Sequence, residues 1–398
     1  MTGPSVSGSE ASLGLAWQSA FGCGWILRLL HHHAPELIWG ASRRDLEEWG
    51  LTKAAIGRFE QRRRDFQPLL AAAHIESAAL RFVAYGDREY PAQLRELPQP
   101  PAGLFVRGMD DMTPVLRVPR VVIVGTRKPT PYGVLLAEAF ACAFARAGVL
   151  VVSGMALGID GRSHQGALKE GAASVAVLGC GADVIYPRAH RKLYGEIAEN
   201  GAVLSELPPG TAPSRWTFPQ RNRVLAALGD AVLVVEAGAS SGALQTADWA
   251  LELGRPVFAV PGPVTGENHR GTNRLIYEGA FPALDPVVTV EDFLLLTRIE
   301  RGDRLPASLV DCRRTGTGGL LGQSTGLVAS DRGGTDGPAP LGPAELKVLG
   351  WLGAGVMTVD AIVEGTSLSV REVTGALARL QLRGAATRLG PGLFIRAP

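Results

Sequence analysis

Cysteine is scarce: the 398 residues hold four, Cys23, Cys142, Cys180 and Cys312, with no CxxC pair among them. Thiols so scattered form neither a disulfide framework nor a metal cluster, and they suit a reducing compartment, so a cytoplasmic location is expected. An excess of one charge is also missing. Forty Lys and Arg stand against 38 Asp and Glu, a formal net charge of +2. That balance does not announce a polyanionic partner, so any basic surface must come from local arrangement. No uncharged apolar run reaches bilayer-spanning length, and residues 1–10 lack the basic start and apolar stretch of a secretory signal, so no membrane association is expected.

Two phosphate-binding signatures are absent as well. No loop spells the GxGxxG dinucleotide fingerprint or the GxxxxGK[ST] P-loop. No serine or cysteine is read as a catalytic nucleophile. His164, His190 and His269 fall in loops or helix starts. The acids Asp160, Asp183, Glu206 and Glu236 are dispersed rather than clustered as a metal nuclease requires. The triplet His31-His32-His33 reads as a helix face. The expectation is a protein that is not an enzyme and that carries no metal or cofactor.

What is present is an ordinary globular composition, 46% hydrophobic and 20% charged, with 50 glycines and 27 prolines whose placement marks the organisation. Residues 1–80 read as a small helical domain with its first ten residues frayed. Helical stretches fall near 13–30, 45–51 and 53–64, and Gly50-Leu51-Thr52 makes a stop and a new N-cap. Arg62-Arg63-Arg64 reads as a solvated helix face. Residues 81–300 change to apolar runs alternating with helical patterns. Strands are predicted at 121–124, 149–152, 174–178, 202–204, 231–235 and 256–260, with helices at 134–147, 162–170 and 224–228. Continuous Val- and Ala-rich strands alternating with helices predict an α/β fold, a Rossmann-like doubly wound, mostly parallel sheet. Residues 301–341 are dense in Gly, Ser, Thr, Pro and Asp and read as a flexible linker. In 342–398, helices at 343–352 and 359–364 precede a capping box, Ser369-Val370-Arg371-Glu372. Its helix carries the apolar stripe Val370, Val373, Leu377 and Leu380, and Gly390-Pro391-Gly392 turns between two strands. This is the pattern of a winged helix.

Ligands of doubly wound sheets bind beyond the carboxyl ends of the strands. The residues at those ends are Gly125-Thr126-Arg127-Lys128, Ser153-Gly154 with Gly158-Ile159-Asp160, Gly179-Cys180-Gly181, and Ser240-Ser241-Gly242 leading to Thr246. Four small-residue loops on one edge, with cations and hydroxyls beside them, point to an anion site. Phe218-Pro219-Gln220-Arg221-Asn222-Arg223 is placed just before helix 224–228. An aromatic beside two guanidinium groups suits stacking on a base with phosphates alongside. Taken alone, the same residues also fit a core Phe218 with arginines exposed or paired to carboxylates. Trp216 reads as packing.

Several blocks occur in order: VVIVGTR at 121–127, VSGMALGIDGRSHQGAL at 152–168, VLGCGADVIYP at 177–187 and Ser205-Glu206. FPQRNRVLAAL follows at 218–228, then VVEAGASSGALQTA at 234–247, VFAVPG at 257–262 and GTNRLI at 271–276. With DREYPAQL at 87–94 they closely resemble the DNA-processing protein A family, also called DprA or Smf. The resemblance implies a helical, SAM-like domain before the core and a winged-helix domain after it. It further implies binding of single-stranded DNA, a homodimer through the core, and loading of the RecA recombinase during natural transformation. By motif, Gly125, Thr126, Arg127, Ser153 and Gly154 would hold backbone phosphate. Phe218, Arg221 and Arg223, with Asn222 among them, would form the base-and-phosphate pocket, and Gly242 and Thr246 the amide-rich helix start opposite. The family usually has Asn where His190 stands and often Ala where Ser163 stands.

The alternative is a nucleotide-processing phosphoribohydrolase on a related fold. Its PGGxGTxxE signature is not reproduced at residues 238–246, and Asp248 falls where the catalytic Glu should be. A third reading, a transcription factor acting through the winged helix, finds only Arg371 and Arg379 on the recognition helix, sparse for reading duplex DNA.

Overall fold

The computed structural model describes residues 7–19, 24–301, 342–352, 357–382, 385–390 and 393–396. They fall in two compact units, Met1–Glu300 and Arg301–Pro398. Residues 302–341, expected as linker, lie outside the described residues, as do Cys23, Cys312, Pro391 and Gly392.

The first unit begins with α1 (Gly8–Gln18), because the Ser7 hydroxyl accepts from Glu10 N at 3.2 Å and caps it. Helix therefore starts inside the segment expected to fray. A 3₁₀ run over Gly24–His31 leads to α2 (Pro35–Gly40), α3 (Arg43–Glu48), α4 (Lys53–Asp65) and α5 (Pro68–Ser77). The arginine triplet on α4 is not merely a solvated face: Arg63 donates to Trp39 O at 2.6 Å and Ala41 O at 2.9 Å, closing the open end of α2. Ile26, Ile38, Leu46, Ile56 and Phe59 form the core of this layer, which continues onto Phe105 of the sheet.

The sheet is built by β1 (Arg81–Ala84), β2 (Gly103–Gly108), β3 (Arg120–Val124), β4 (Leu150–Ser153) and β5 (Ser174–Val177). It continues with β6 (Ala202–Ser205), β7 (Ala231–Val234), β8 (Val257–Ala259) and β9 (Phe281–Pro282). Between these strands run α6 (Thr113–Arg117), α7 (Pro131–Arg146), α8 (Ile159–Lys169), α9 (Arg191–Asn200) and α10 (Thr217–Leu228). The unit ends through α11 (Gly242–Glu252), α12 (Arg270–Tyr277) and α13 (Pro286–Arg301).

The order is β1-β2-β6-β5-β4-β3-β7-β8-β9. From β6 to β9 every pairing is parallel, while β2 meets both β1 and β6 antiparallel. Strands β3 to β8 are buried throughout, as continuous apolar runs under two helical layers must be. The sheet is thus Rossmann-like and mostly parallel. Strand β3 leads through α7 to β4 on one side, whereas β7 leads through α11 to β8 on the other. The crevice between the carboxyl ends of β3 and β7 is the switch point of the sheet.

One buried histidine in α8 gives this unit a defined acid sensitivity. His164 is fully buried, and its Nδ1 lies 2.8 Å from Ser174 Oγ, which donates onward to Val151 O at 2.9 Å. The hydroxyl therefore accepts from Nδ1–H, and the ring is neutral with no partner at Nε2. Burial, then the nearby His190 and Arg221, push its pKa from 6.5 down to about 3. Below about pH 6.5 the unfolded chain takes up a proton that the folded chain refuses, so this contribution is complete above that pH and is lost as pH falls toward 3. Denaturant unfolding at pH 6.5 and pH 5 is expected to differ by about 2 kcal/mol through this residue, and His164→Gln should flatten the slope. An unchanged pH profile in that variant would contradict the assignment.

The second unit comprises α14 (Pro343–Leu352), β10 (Met357–Thr358), α15 (Val359–Thr366), α16 (Val370–Leu382), β11 (Ala386–Gly390) and β12 (Leu393–Arg396). The three strands pair in the order β10-β12-β11, which makes the wing. The capping box forms: Ser369 N donates to Glu372 Oε2 at 2.9 Å, and Glu372 N to Ser369 Oγ at 3.3 Å. Val373, Leu377 and Leu380 are buried with Val348 and Ile362, but Val370 is 58% exposed. As the first residue of α16 it lies before the turn that packs. Arg379 donates to the buried carboxylate of Glu345 at 2.6 Å, so one of the two arginines expected on this helix is tied to α14.

Candidate functional site

The switch point opens into a cleft of about 830 Å³. One wall is the loop after β3. Gly125 lets it pass close to its neighbours, since a Cβ there would sit 2.6 Å from Ile159 Cγ1. Thr126 N donates to Glu236 O at 2.7 Å, and Ile159 N to Thr126 O at 3.3 Å, which stitches the loop between β7 and α8. Gly158 is required at the same place, with φ +83° and a virtual Cβ 2.4 Å from Thr126 O. Further along, Thr130 N donates to the fully buried carboxylate of Glu236 at 2.9 Å, and the Thr130 hydroxyl bonds it as well. Asn268 Nδ2 donates to Lys128 O at 3.0 Å. The loop is therefore fixed, while the side chains of Arg127 and Lys128 stand exposed at its tip.

The floor is the first turns of α10. Residues 218–223, expected just before a helix, lie inside it, because Pro219 falls in the first turn, where no intrahelical N–H is needed. Arg221 is 5% exposed and its guanidinium is part of the framework. Nη1 donates to Gly154 O at 2.8 Å and to Val177 O, and Nε to Asn222 Oδ1 at 3.2 Å. Burial pushes this guanidinium down to about 10, against the pull of Asp160. Burial raises the Asp160 carboxyl in turn, while Arg221 and the amides of Ala156 and Gly154 draw it back. Asn222 Nδ2 donates to Gly242 O at 3.2 Å and so ties the floor to the far wall. That wall is the start of α11, capped by Ser241, whose hydroxyl accepts from Ala243 N at 3.4 Å. Gly242 and Thr246 line the cleft there, Thr246 almost fully buried.

Over the floor, Arg127 Cζ stands 5.1 Å from the centroid of the Phe218 ring, and the Tyr186 ring, tilted by 40°, has its centroid 5.6 Å away. Asp160 is the one carboxylate among the described lining residues, and Arg127, Lys128 and Arg215 are all exposed. The cleft is cationic, in a chain with nearly balanced charge.

Eight of the expected site residues therefore meet in one cleft: Gly125, Thr126, Arg127, Phe218, Arg221, Asn222, Gly242 and Thr246. Three do not. Ser153 is fully buried and donates to Ile123 O at 2.6 Å. Gly154 lines a small adjoining pocket with Arg127, Tyr186 and Phe218, its carbonyl held by Arg221. Arg223 ion-pairs with Glu206 and donates to Gln99 O at 2.7 Å, lining a separate groove with Asp248 and Trp249. The separation is helical geometry: residues two apart on a helix point to nearly opposite sides, so Arg221 and Arg223 cannot share a pocket within α10. Arg215 and Asn268 are lining residues that no motif marked. Trp216, expected as packing, is 80% exposed. Burial pushes the Cys180 thiol near the floor up to about 12, away from the thiolate form. Among the described residues, no three His, Cys, Asp or Glu side chains gather as a metal site, and no helix is long and apolar enough to cross a membrane.

The fold is Rossmann-like, with a cationic cleft at the switch point of its sheet, the place where such folds hold ligands. Residues 81–294 match the family described as DNA recombination-mediator protein A, and residues 335–392 match the DprA winged helix domain. Protein Smf of Synechocystis is 33% identical over 389 residues, covering 95% of this chain and 97% of that one. The DNA processing protein DprA of Bacillus subtilis is 39% identical over 213 residues, 54% of this chain and 71% of its own. The X-ray structure of DNA processing protein A from Streptococcus pneumoniae superposes with a TM-score of 0.56 at 33% identity, over 60% of this chain and 83% of that one. The chain belongs to the DprA/Smf family.

Proposed function

We propose that the chain binds single-stranded DNA in the switch-point cleft and acts as a recombination mediator, by binding rather than by catalysis, loading RecA onto incoming strands during natural transformation. The observation that carries the reading is the pairing of Phe218 with exposed cations: a base stacks on the ring while Arg127, Lys128 and the Gly242 amide at the start of α11 take the phosphates. Arg221 and Asn222 hold the floor in place. Relatives named for DNA processing and recombination mediation support the same reading. The phosphoribohydrolase alternative is disfavoured, because Asp248 lines the neighbouring groove and not the cleft. The reading also takes residues 1–80 as a helical, SAM-like domain, 81–300 as the DNA-binding core, 301–341 as a linker and 342–398 as the winged-helix domain, in a cytoplasmic protein.

RecA loading is tested by assembly of RecA filaments on single strands coated with single-strand-binding protein. The chain is expected to speed assembly, and an unchanged rate would overturn the loading step. A homodimer through the core is supported by exposed apolar side chains around edge strand β9: Tyr277 at 91%, Leu284 at 74% and Val287 at 62%. Tyr277→Arg combined with Leu284→Arg is expected to shift the protein to monomer in sedimentation with its melting temperature kept. A dimer that survives both changes would place the interface elsewhere.

A further inference from the structure

Trp216 is unexplained by the fold. Its indole is 80% exposed, although large aromatics normally bury most of their area. The backbone that carries it is held by a turn. Thr217 Oγ1 donates to Ser214 O at 3.0 Å and accepts from Ser214 N at 3.2 Å, closing a turn that carries Arg215 and Trp216 at its tip. Helix α10 follows at once, with Trp216 as its N-cap residue and Phe218 two residues on. Arg215 lines the cleft and Trp216 lies just outside that lining. The order along the chain is therefore cation, indole, hydroxyl, phenyl, running from the rim to the floor. An exposed aromatic beside an exposed cation, next to a platform of the same kind, continues the arrangement that non-specific single-strand binders use, stacking faces alternating with phosphate contacts.

We propose that Trp216 is a second stacking platform: a strand leaving the cleft past Arg215 lays its next base on the Trp216 indole, with Arg215 on the phosphate between the two bases. The inference rests on the single-stranded-DNA reading of the cleft and extends its footprint by at least one nucleotide. The contact is sequence-tolerant, because every base has a stacking face. It also makes binding visible from the protein, since an indole stacked on a base loses fluorescence.

The test uses the full chain and oligo-dT of graded length. Affinity is read by anisotropy of a labelled strand, and tryptophan emission is read in parallel. Wild type is expected to lose emission only with strands long enough to leave the cleft. Trp216→Phe should remove that quench while keeping most of the affinity. Trp216→Ala should weaken binding to long strands by roughly five-fold or more, leave the shortest strands unaffected, and keep the melting temperature. If Trp216→Ala binds every length as wild type does and the quench persists in Trp216→Phe, Trp216 is not a platform. A changed oligomeric state at unchanged DNA affinity would make it a protein contact and overturn the proposal. If wild type binds no strand even at low salt, the single-stranded-DNA reading fails, and this inference fails with it.

Discussion

Arg127→Ala combined with Lys128→Ala is expected to cost roughly 10²–10⁴-fold in affinity for single-stranded DNA, at about 1.5–3 kcal/mol for each charged hydrogen bond to phosphate. Both side chains project from a loop whose shape is set by backbone bonds to Glu236 and by the Asn268 contact, not by the cations themselves. The double variant should therefore melt as wild type does. Its salt dependence should flatten too. Each lost phosphate contact on a single strand lowers the slope of log K against log salt by about 0.7, so two should lower it by about 1.4. The loss should be the same for every base sequence, because phosphates carry none. An unchanged salt slope with reduced affinity would mean that these residues shape the cleft without touching the strand. Unchanged affinity would remove the loop from the site.

Arg221→Ala is expected to fail for a different reason. The guanidinium is 5% exposed, holds the carbonyls of Gly154 and Val177, and offsets the buried Asp160. Its removal strands a buried carboxylate and two acceptors, a loss of about 3–5 kcal/mol. That is a large share of the stability of an ordinary domain. The variant should unfold at much lower denaturant, and its loss of DNA binding should follow from the collapse of the floor. Adding Asp160→Asn should restore part of the stability, since the uncompensated charge is then gone. Strictly additive losses in the double variant would show that Asp160 and Arg221 are not coupled. A fully stable Arg221→Ala would make the residue a direct and dispensable phosphate ligand.

The contrast between these two arginines marks where the sequence stops being legible. The alternation of Val-rich runs with helical patterns located β3 to β8, because strands covered on both faces must be apolar throughout. The glycines after β3 and before α8 were legible as close approaches, and the structure shows which atoms a Cβ would strike. Strands β1 and β2 were not seen. β2 pairs antiparallel with β1 and with β6, and β6 lies nearly a hundred residues away in the chain. The site was legible as a set of loops on one edge but not as a set of exposed groups. Nothing in FPQRNR says that the helix begins at Thr217, and that start is what turns Arg221 inward and sends Arg223 to Glu206. Burial is a property of the packed whole. For the same reason Trp216 read as core and stands in water, and Val370 read as part of a packed stripe and is exposed.

The central claim is that the switch-point cleft holds a single nucleic-acid strand by phosphate contacts and stacking. Its most direct test is a comparison of matched single- and double-stranded DNA binding to the full chain across a range of salt. Tight single-strand binding that weakens steeply with salt, with weak binding to duplex, is the predicted result. Equal affinity for the two forms, or single-strand binding insensitive to salt, would contradict it.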